Sequence, residues 1–207
     1  MKNKDSKLKI LAASELEGDS KQALKLAKQA QKERVDLVVL CGDLTGWVET
    51  QNLIKPFKDR NQKVLLIPGN HDNFATADFL ATLYGMKNIH GYSAIYKNIG
   101  FFGAGGADTN LAFPGHITER QIFETLKQAH AGIAGIEKKI MVTHMHPQGS
   151  KSEFSGIQGS KAIKQAIDKF KPALLLHGHI HEAEGAEEYI GKTKVINVGR
   201  NGRIIEI

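Results

Sequence analysis

Pro172-Ala173-Leu174-Leu175-Leu176 runs directly into His177-Gly178-His179-Ile180-His181. An apolar run this short reads as a buried strand of a parallel sheet. Two histidines at i and i+2 just past its end can feed two cations lying side by side. Three further apolar runs end in the same manner. Asp36-Leu37-Val38-Val39-Leu40 leads to Cys41-Gly42-Asp43, and Lys63-Val64-Leu65-Leu66-Ile67-Pro68 leads to Gly69-Asn70-His71-Asp72. Lys139-Ile140-Met141-Val142-Thr143 leads to His144-Met145-His146. In open α/β sheets, ligands bind just beyond the carboxyl ends of the strands. Oxygen and nitrogen donors are thus delivered to one rim from separate strands. Such a set suits a pair of divalent cations.

Each residue has a reading of its own. One Asp at a strand end, Asp43, can bridge two cations. The Asn70 side-chain carbonyl can bind a metal, and His71 can stand beside the metals without ligating them. His144, at the end of its strand, is the ligand candidate of its segment. His146 precedes Pro147 and is expected to line the rim.

The rest of the chain supplies the frame. Lys7–Ala13 reads as the first strand. Ser20 can cap a helix to about Arg34, with Ala23, Leu24, Leu26, Ala27 and Ala30 on its apolar face. A helix is expected around Val48–Arg60, kinked or cut short by Pro56. Ala75–Tyr84 reads as a helix ended by Gly85. Short strands follow at Ile89–Tyr92, Ala94–Tyr96 and Phe101–Gly103, with a turn at Lys97-Asn98. Helices are expected at Thr118–Ala131 and Gly156–Phe170. Tyr189–Ile190, Lys194–Val198 and Arg203–Ile207 suggest a closing antiparallel meander. Alternating βαβ units and then a strand-rich half imply two packed sheets flanked by helices. No repeat or linker interrupts residues 1–207, which read as one domain.

Composition sets the partner classes. The 207 residues carry 41% hydrophobic and 24% charged residues, ordinary values for a globular protein. The net charge of +6 favours an anionic partner. A small phosphorylated substrate or nucleic acid would be such a partner, but the scattered lysines read as a solvated surface rather than a nucleic-acid patch. The single cysteine, Cys41, excludes an internal disulfide and fits a reducing compartment. The apolar stretch near the N-terminus is shorter than a signal peptide requires, and no run is long enough to span a membrane. These features point to a soluble, cytoplasmic protein and leave a homo-oligomer open. Gly103-Ala104-Gly105-Gly106 echoes a dinucleotide loop, but Asp108 takes the last glycine's position and no helix follows promptly, so the segment reads as a loop near the site. Gly149-Ser150-Lys151-Ser152 reads as a connector.

The series Gly42-Asp43, Gly69-Asn70-His71-Asp72, His144 followed by Pro147, and Gly178-His179-Ile180-His181 resembles the calcineurin-like metallophosphoesterase superfamily over nearly the whole chain. The resemblance implies a four-layer αββα sandwich, two packed mixed β-sheets flanked by helices, with a dinuclear metal site. By it, Asp43 bridges two divalent metal ions (Mn, Fe, Zn or Mg). Asn70, His144 and His179 hold one, and His181 helps hold the other. His71 becomes the general acid or a phosphate-contacting group, oriented by Asp72. Asn197-Val198-Gly199 is similar to the family's Asn-Pro-Gly turn, with Val in place of Pro.

One departure stands out. The family begins with Asp-x-His after its first strand, whereas this chain has Glu15-Leu16-Glu17. At period two both glutamates project to the same side and can reach one cation together. They would make a carboxylate-rich first site with Asp43 and His181. The family's second Asp after Gly-Asp is also missing, with Gly46 in its vicinity. The resemblance implies a phosphodiesterase or phosphatase. The alternative is a non-catalytic or single-metal relative that uses the fold for binding.

Overall fold

The computed structural model describes residues 7–46, 52–109 and 112–207. Strands β1 (Lys9–Ala13), β2 (Leu37–Cys41) and β3 (Val64–Ile67) pair in parallel. The two-residue β4 (Lys87–Asn88) extends this sheet, and β11 (Arg203–Glu206) closes its other edge antiparallel to β1. A second sheet runs in the order β5 (Ser93–Tyr96), β6 (Ile99–Ala104), β7 (Lys138–Thr143), β8 (Leu174–His177), β10 (Thr193–Asn197), β9 (Glu187–Ile190).

The period of two along each strand decides the layers. Ile10, Ala12, Val39 and Leu65 face Phe101, Val142 and Leu176, and so form a core between the sheets. The intervening Leu11, Ala13, Leu40 and Leu66 pack under α1 (Ser20–Lys32), α2 (Lys55–Lys58) and α3 (Phe74–Tyr84). Helices α4 (Glu119–Ala131) and α5 (Lys161–Phe170) cover the outer face of the second sheet through Ile122, Leu126, Ile163 and Ile167. The result is the expected sandwich. Strands buried on both faces explain the unbroken apolar runs of the sequence. Truncating one such residue, Leu40→Ala for example, would cost about 2–5 kcal/mol.

Several boundaries differ from the sequence expectations. Asp19, not Ser20, caps α1, its side chain accepting the amides of Lys21 and Gln22. The helix expected at Val48–Arg60 is the single turn α2, with Pro56 in its first turn, where a missing N–H costs nothing. Residues 48–51 of that expectation lie outside the described residues. Ile89–Tyr92 is not a strand. His90 makes one parallel bridge to Gly103, and Gly91, at φ 76°, turns the chain away. Lys97 and Asn98 form the expected hairpin turn, both at positive φ. The helix expected from Gly156 begins only at Lys161, because Ser160 caps it through the Ile163 amide. The closing strands are not one meander. β9 and β10 are antiparallel, but β10 lies parallel to β8, and β11 crosses to the first sheet. Among the described residues no helix is long and apolar enough to cross a membrane.

The loops after the parallel strands meet at one rim. Glu15 N donates to Gly42 O at 3.2 Å, Gly106 N to Pro68 O at 2.9 Å and Gly178 N to His144 O at 3.0 Å.

Candidate metal centre

Glu15, just past β1, is buried and sits at φ 57°, a region side chains rarely occupy. Its Oε1 accepts the Ser14 hydroxyl at 2.7 Å and the His179 amide at 2.7 Å. Its Oε2 lies 3.1 Å from His181 Nε2. Gly178 makes this approach feasible, since a Cβ there would fall 2.6 Å from Glu15 Oε1. Glu17, also left-handed at φ 47°, reaches within 3.7 Å of His181 Nε2 and 3.7 Å of Arg200 Nη1. Glu15, Glu17 and His181 each place a ligand atom within 4.8 Å of the others.

A second group lies alongside. Asp43 and His179 complete the set of left-handed candidate residues, at φ 49° and 72°. Such strain persists where surrounding contacts over-determine it and clusters at functional sites. A Cβ on Gly69 would fall 2.0 Å from Asp43 Oδ1, so only glycine lets the loops after β2 and β3 touch. Asp43 Oδ1 accepts the His71 amide at 2.9 Å, and Oδ2 faces His144 Nε2 at 3.4 Å. That same nitrogen lies 2.8 Å from Asn70 Oδ1. Glu15, Asp43 and His144 again converge within 4.8 Å, so Glu15 belongs to both groups.

The donor chemistry fits divalent cations. His144 Nδ1 lies 2.9 Å from the Cys41 carbonyl, which can only accept, so this nitrogen carries the proton. A metal-binding histidine is commonly oriented by such a bond to its other nitrogen. Its Nε2 then faces two oxygens that also only accept. Without a cation it must be protonated as well. Burial opposes that charge, but Asp43 and Glu15 overcome it and raise the pKa to about 10. A cation at this position would replace the proton. His179 Nε2 is buried and, among the described residues, has no hydrogen-bond partner. Burial, then the neighbouring His144 charge, depress its pKa to about 3, which keeps its lone pair free. His181 moves the other way, to about 9, through its bond to Glu15. The two carboxylates diverge. Burial raises both, but His144, His181 and the His179 amide outweigh it at Glu15, which is held well below the usual carboxylate range. Asp43 has fewer partners and is pushed up by burial, with Glu15 and Asp72 adding to the rise.

The Asp72 carboxylate is held by donors of two loops. Its Oδ2 accepts the amides of Leu44 and Gly69, and its Oδ1 accepts the amide and hydroxyl of Thr45. It is the clasp between the loops after β2 and β3. His71 packs its ring 4.7 Å from Phe113, with Nε2 3.9 Å from Asp43 Oδ2. His146 does not line the rim. It is buried, with Nε2 3.2 Å from the Ile157 carbonyl. The Gly149–Ser152 connector ends in a 3-10 turn, Lys151–Ser155, fixed to Glu187 and Glu188.

A cavity of about 760 Å³ opens from this centre and is lined by Glu17, Asp43, Asn70, His71, His179 and His181. Asp108, Phe113, Glu119, Ile157 and Lys161 line it as well; the sequence reading places the Asp108 loop near the site and does not single out the other four. The one signal was Thr118-Glu119-Arg120-Gln121, whose capping box places Glu119 at the start of α4.

Known structures with this layering are metallophosphoesterase folds. The TT1561 protein of Thermus thermophilus aligns at 20% identity and TM-score 0.76, over 97% of this chain and 99% of that one. A dimetal phosphatase from Danio rerio aligns at 14% identity and TM-score 0.62, over 94% and 88%. An archaeal phosphodiesterase aligns at 16% identity and TM-score 0.54, over 96% and 99%. No curated protein matches the chain. The calcineurin-like phosphoesterase profile matches residues 8–183, and the chain belongs to that family. The family typically binds divalent metals, and this chain presents candidate ligand groups for them.

Proposed function

We propose that the protein is a dinuclear-metal-dependent phosphoesterase that hydrolyses a small phosphodiester or phosphomonoester. The observation that carries this reading is the pair of candidate ligand groups that share Glu15 beside the cavity, with His179 Nε2 buried and, among the described residues, without a hydrogen-bond partner. Glu15, Glu17, Asp43 and His181 would hold one cation, and Asp43, Asn70, His144 and His179 the other. When bound, the pair supplies an activated water and neutralises the phosphoryl oxygens. The first donor set is rich in carboxylates and suits Mn²⁺ or Mg²⁺, while the imidazoles of the second suit Zn²⁺ or Fe.

The chain's own groups supply position and protons. Asp43 fixes the His71 backbone through its amide, so the imidazole stands at the cavity wall beside the cation site. From there His71 can give a proton to the leaving oxygen, a step worth about 10²–10⁴-fold in rate. Asp72 acts as a positioning residue by holding the loops that carry Asp43 and Asn70.

Turnover of a generic aryl phosphodiester and monoester by the Mn²⁺-supplemented protein, beside Asp43→Ala, tests the reading. Hydrolysis by wild type alone is expected. A metal-replete protein that hydrolyses neither ester would favour a binding protein instead.

A further inference from the structure

We infer that the outer arm of the cavity seats the alcohol portion of the substrate, and that this portion has an apolar face, hydrogen-bond donors and no second phosphate. The inference rests on the phosphoesterase reading above, and it names the substrate class.

The cavity is larger than a phosphoryl group needs. Its volume of about 760 Å³ falls in the range that encloses a drug-sized ligand, so an arm remains beyond the cation end. The arm begins at Phe113, whose ring lies 4.7 Å from the His71 ring. A leaving alcohol protonated by His71 would therefore meet an aromatic surface first. Ile157 stands further out, 46% exposed, and adds a second apolar wall.

The charges in the arm decide what else it accepts. The first residues of α4 and α5, Glu119 and Lys161, both line it. Helix N-termini normally favour phosphate. Here one amide at each helix start is already taken by a carboxylate. Asp108 Oδ2 accepts the Glu119 amide at 3.0 Å, and Glu119 Oε2 accepts the Ala162 amide and the Ser160 hydroxyl. Among the described residues the other oxygen of each carboxylate takes no hydrogen bond. Two carboxylates with a spare acceptor oxygen thus belong to the cavity lining, where among the described residues Lys161 is the one lysine or arginine. A hydroxyl or amino group would be received there, whereas a second phosphate would meet two negative charges.

The test is calorimetric binding of three inert probes to the Mn²⁺-loaded protein: methylphosphonate, phenylphosphonate and benzene-1,4-diphosphonate. Phenylphosphonate should bind roughly tenfold tighter than the other two, from apolar contact in one comparison and like-charge repulsion in the other. Asp108→Asn should narrow the gap to the diphosphonate, and Ile157→Ser the gap to methylphosphonate. Tighter binding of the diphosphonate by wild type would overturn the inference, as would gaps that neither substitution moves. Binding is read apart from turnover, so the two proposals separate. The probe preference without ester hydrolysis would keep the arm and sink the phosphoesterase reading. Ester hydrolysis with the diphosphonate bound tightest would do the reverse.

Discussion

Glu15 Oε2 lies 3.1 Å from His181 Nε2, and this pair joins the loop after β1 to the loop after β8 across the two sheets. Glu15 also holds the Ser14 hydroxyl and the His179 amide. Glu15→Ala would leave the buried His179 amide without its acceptor and remove the partner of the half-exposed His181, while the Ser14 hydroxyl can turn to the Cys41 or Gly42 carbonyl. In the metal-free protein this should cost about 1–3 kcal/mol, the scale for a buried donor left unsatisfied. Urea denaturation measures it, and a loss under about 1 kcal/mol would mean the pair is as weak as a surface bridge.

Asp72 separates structure from chemistry. Asp72→Asn would turn an amide NH2 toward N–H donors that now share a carboxylate. A stability loss of about 1–3 kcal/mol is expected, together with lower metal content as the loops carrying Asp43 and Asn70 loosen. The pH–rate profile of the remaining activity should keep its shape. A profile displaced by this substitution would give Asp72 a direct role in proton transfer.

His71→Asn should retain both metals and lose roughly 10²-fold or more in turnover of an ester with a poor leaving group. With a nitrophenol leaving group, which needs little protonation, the loss should be far smaller. Equal losses on both esters would place His71 in substrate binding and not in acid catalysis.

His90 gives a pH dependence away from the centre. Its Nδ1 accepts the Gly105 amide at 2.9 Å, and its ring packs 4.7 Å from Phe74. Burial lowers its pKa from 6.5 to about 4. The unfolded chain therefore binds more protons between these values. The stability is present above pH 6.5 and lost as pH falls toward 4. The full loss is on the order of 3 kcal/mol. His90→Gln should flatten that part of the stability–pH curve, which urea titrations at several pH values would show. An unchanged slope would count against a neutral, buried His90.

The parallel strands and their terminal donors were legible because burial on both faces makes a strand apolar throughout and its end abrupt. The Lys97-Asn98 turn was legible for a related reason: local chemistry alone determines it. What depends on partners distant in sequence was not. The pairing of β10 beside β8 and of β11 beside β1 follows from packing that no local pattern encodes. In sequence Pro56 reads as a kink or an early end, although at a helix start it is an initiator. The hydrogen bonds of Asp72 to the loop after β2 are likewise not legible from its place beside His71. Glu119 and Lys161 are not legible because ordinary helix-terminal residues gain meaning only when a cavity brings them together.

Asp43 and Glu15 are proposed to assemble a two-cation phosphoesterase centre. The most direct measurement is hydrolysis of an aryl phosphodiester by chelator-stripped protein as Mn²⁺ is titrated back. The stripped protein should be inactive, and the rate should climb until two equivalents are bound. In Asp43→Ala the rate should stay at the baseline throughout. Full turnover with no metal added back, or none with two equivalents bound, would contradict the account.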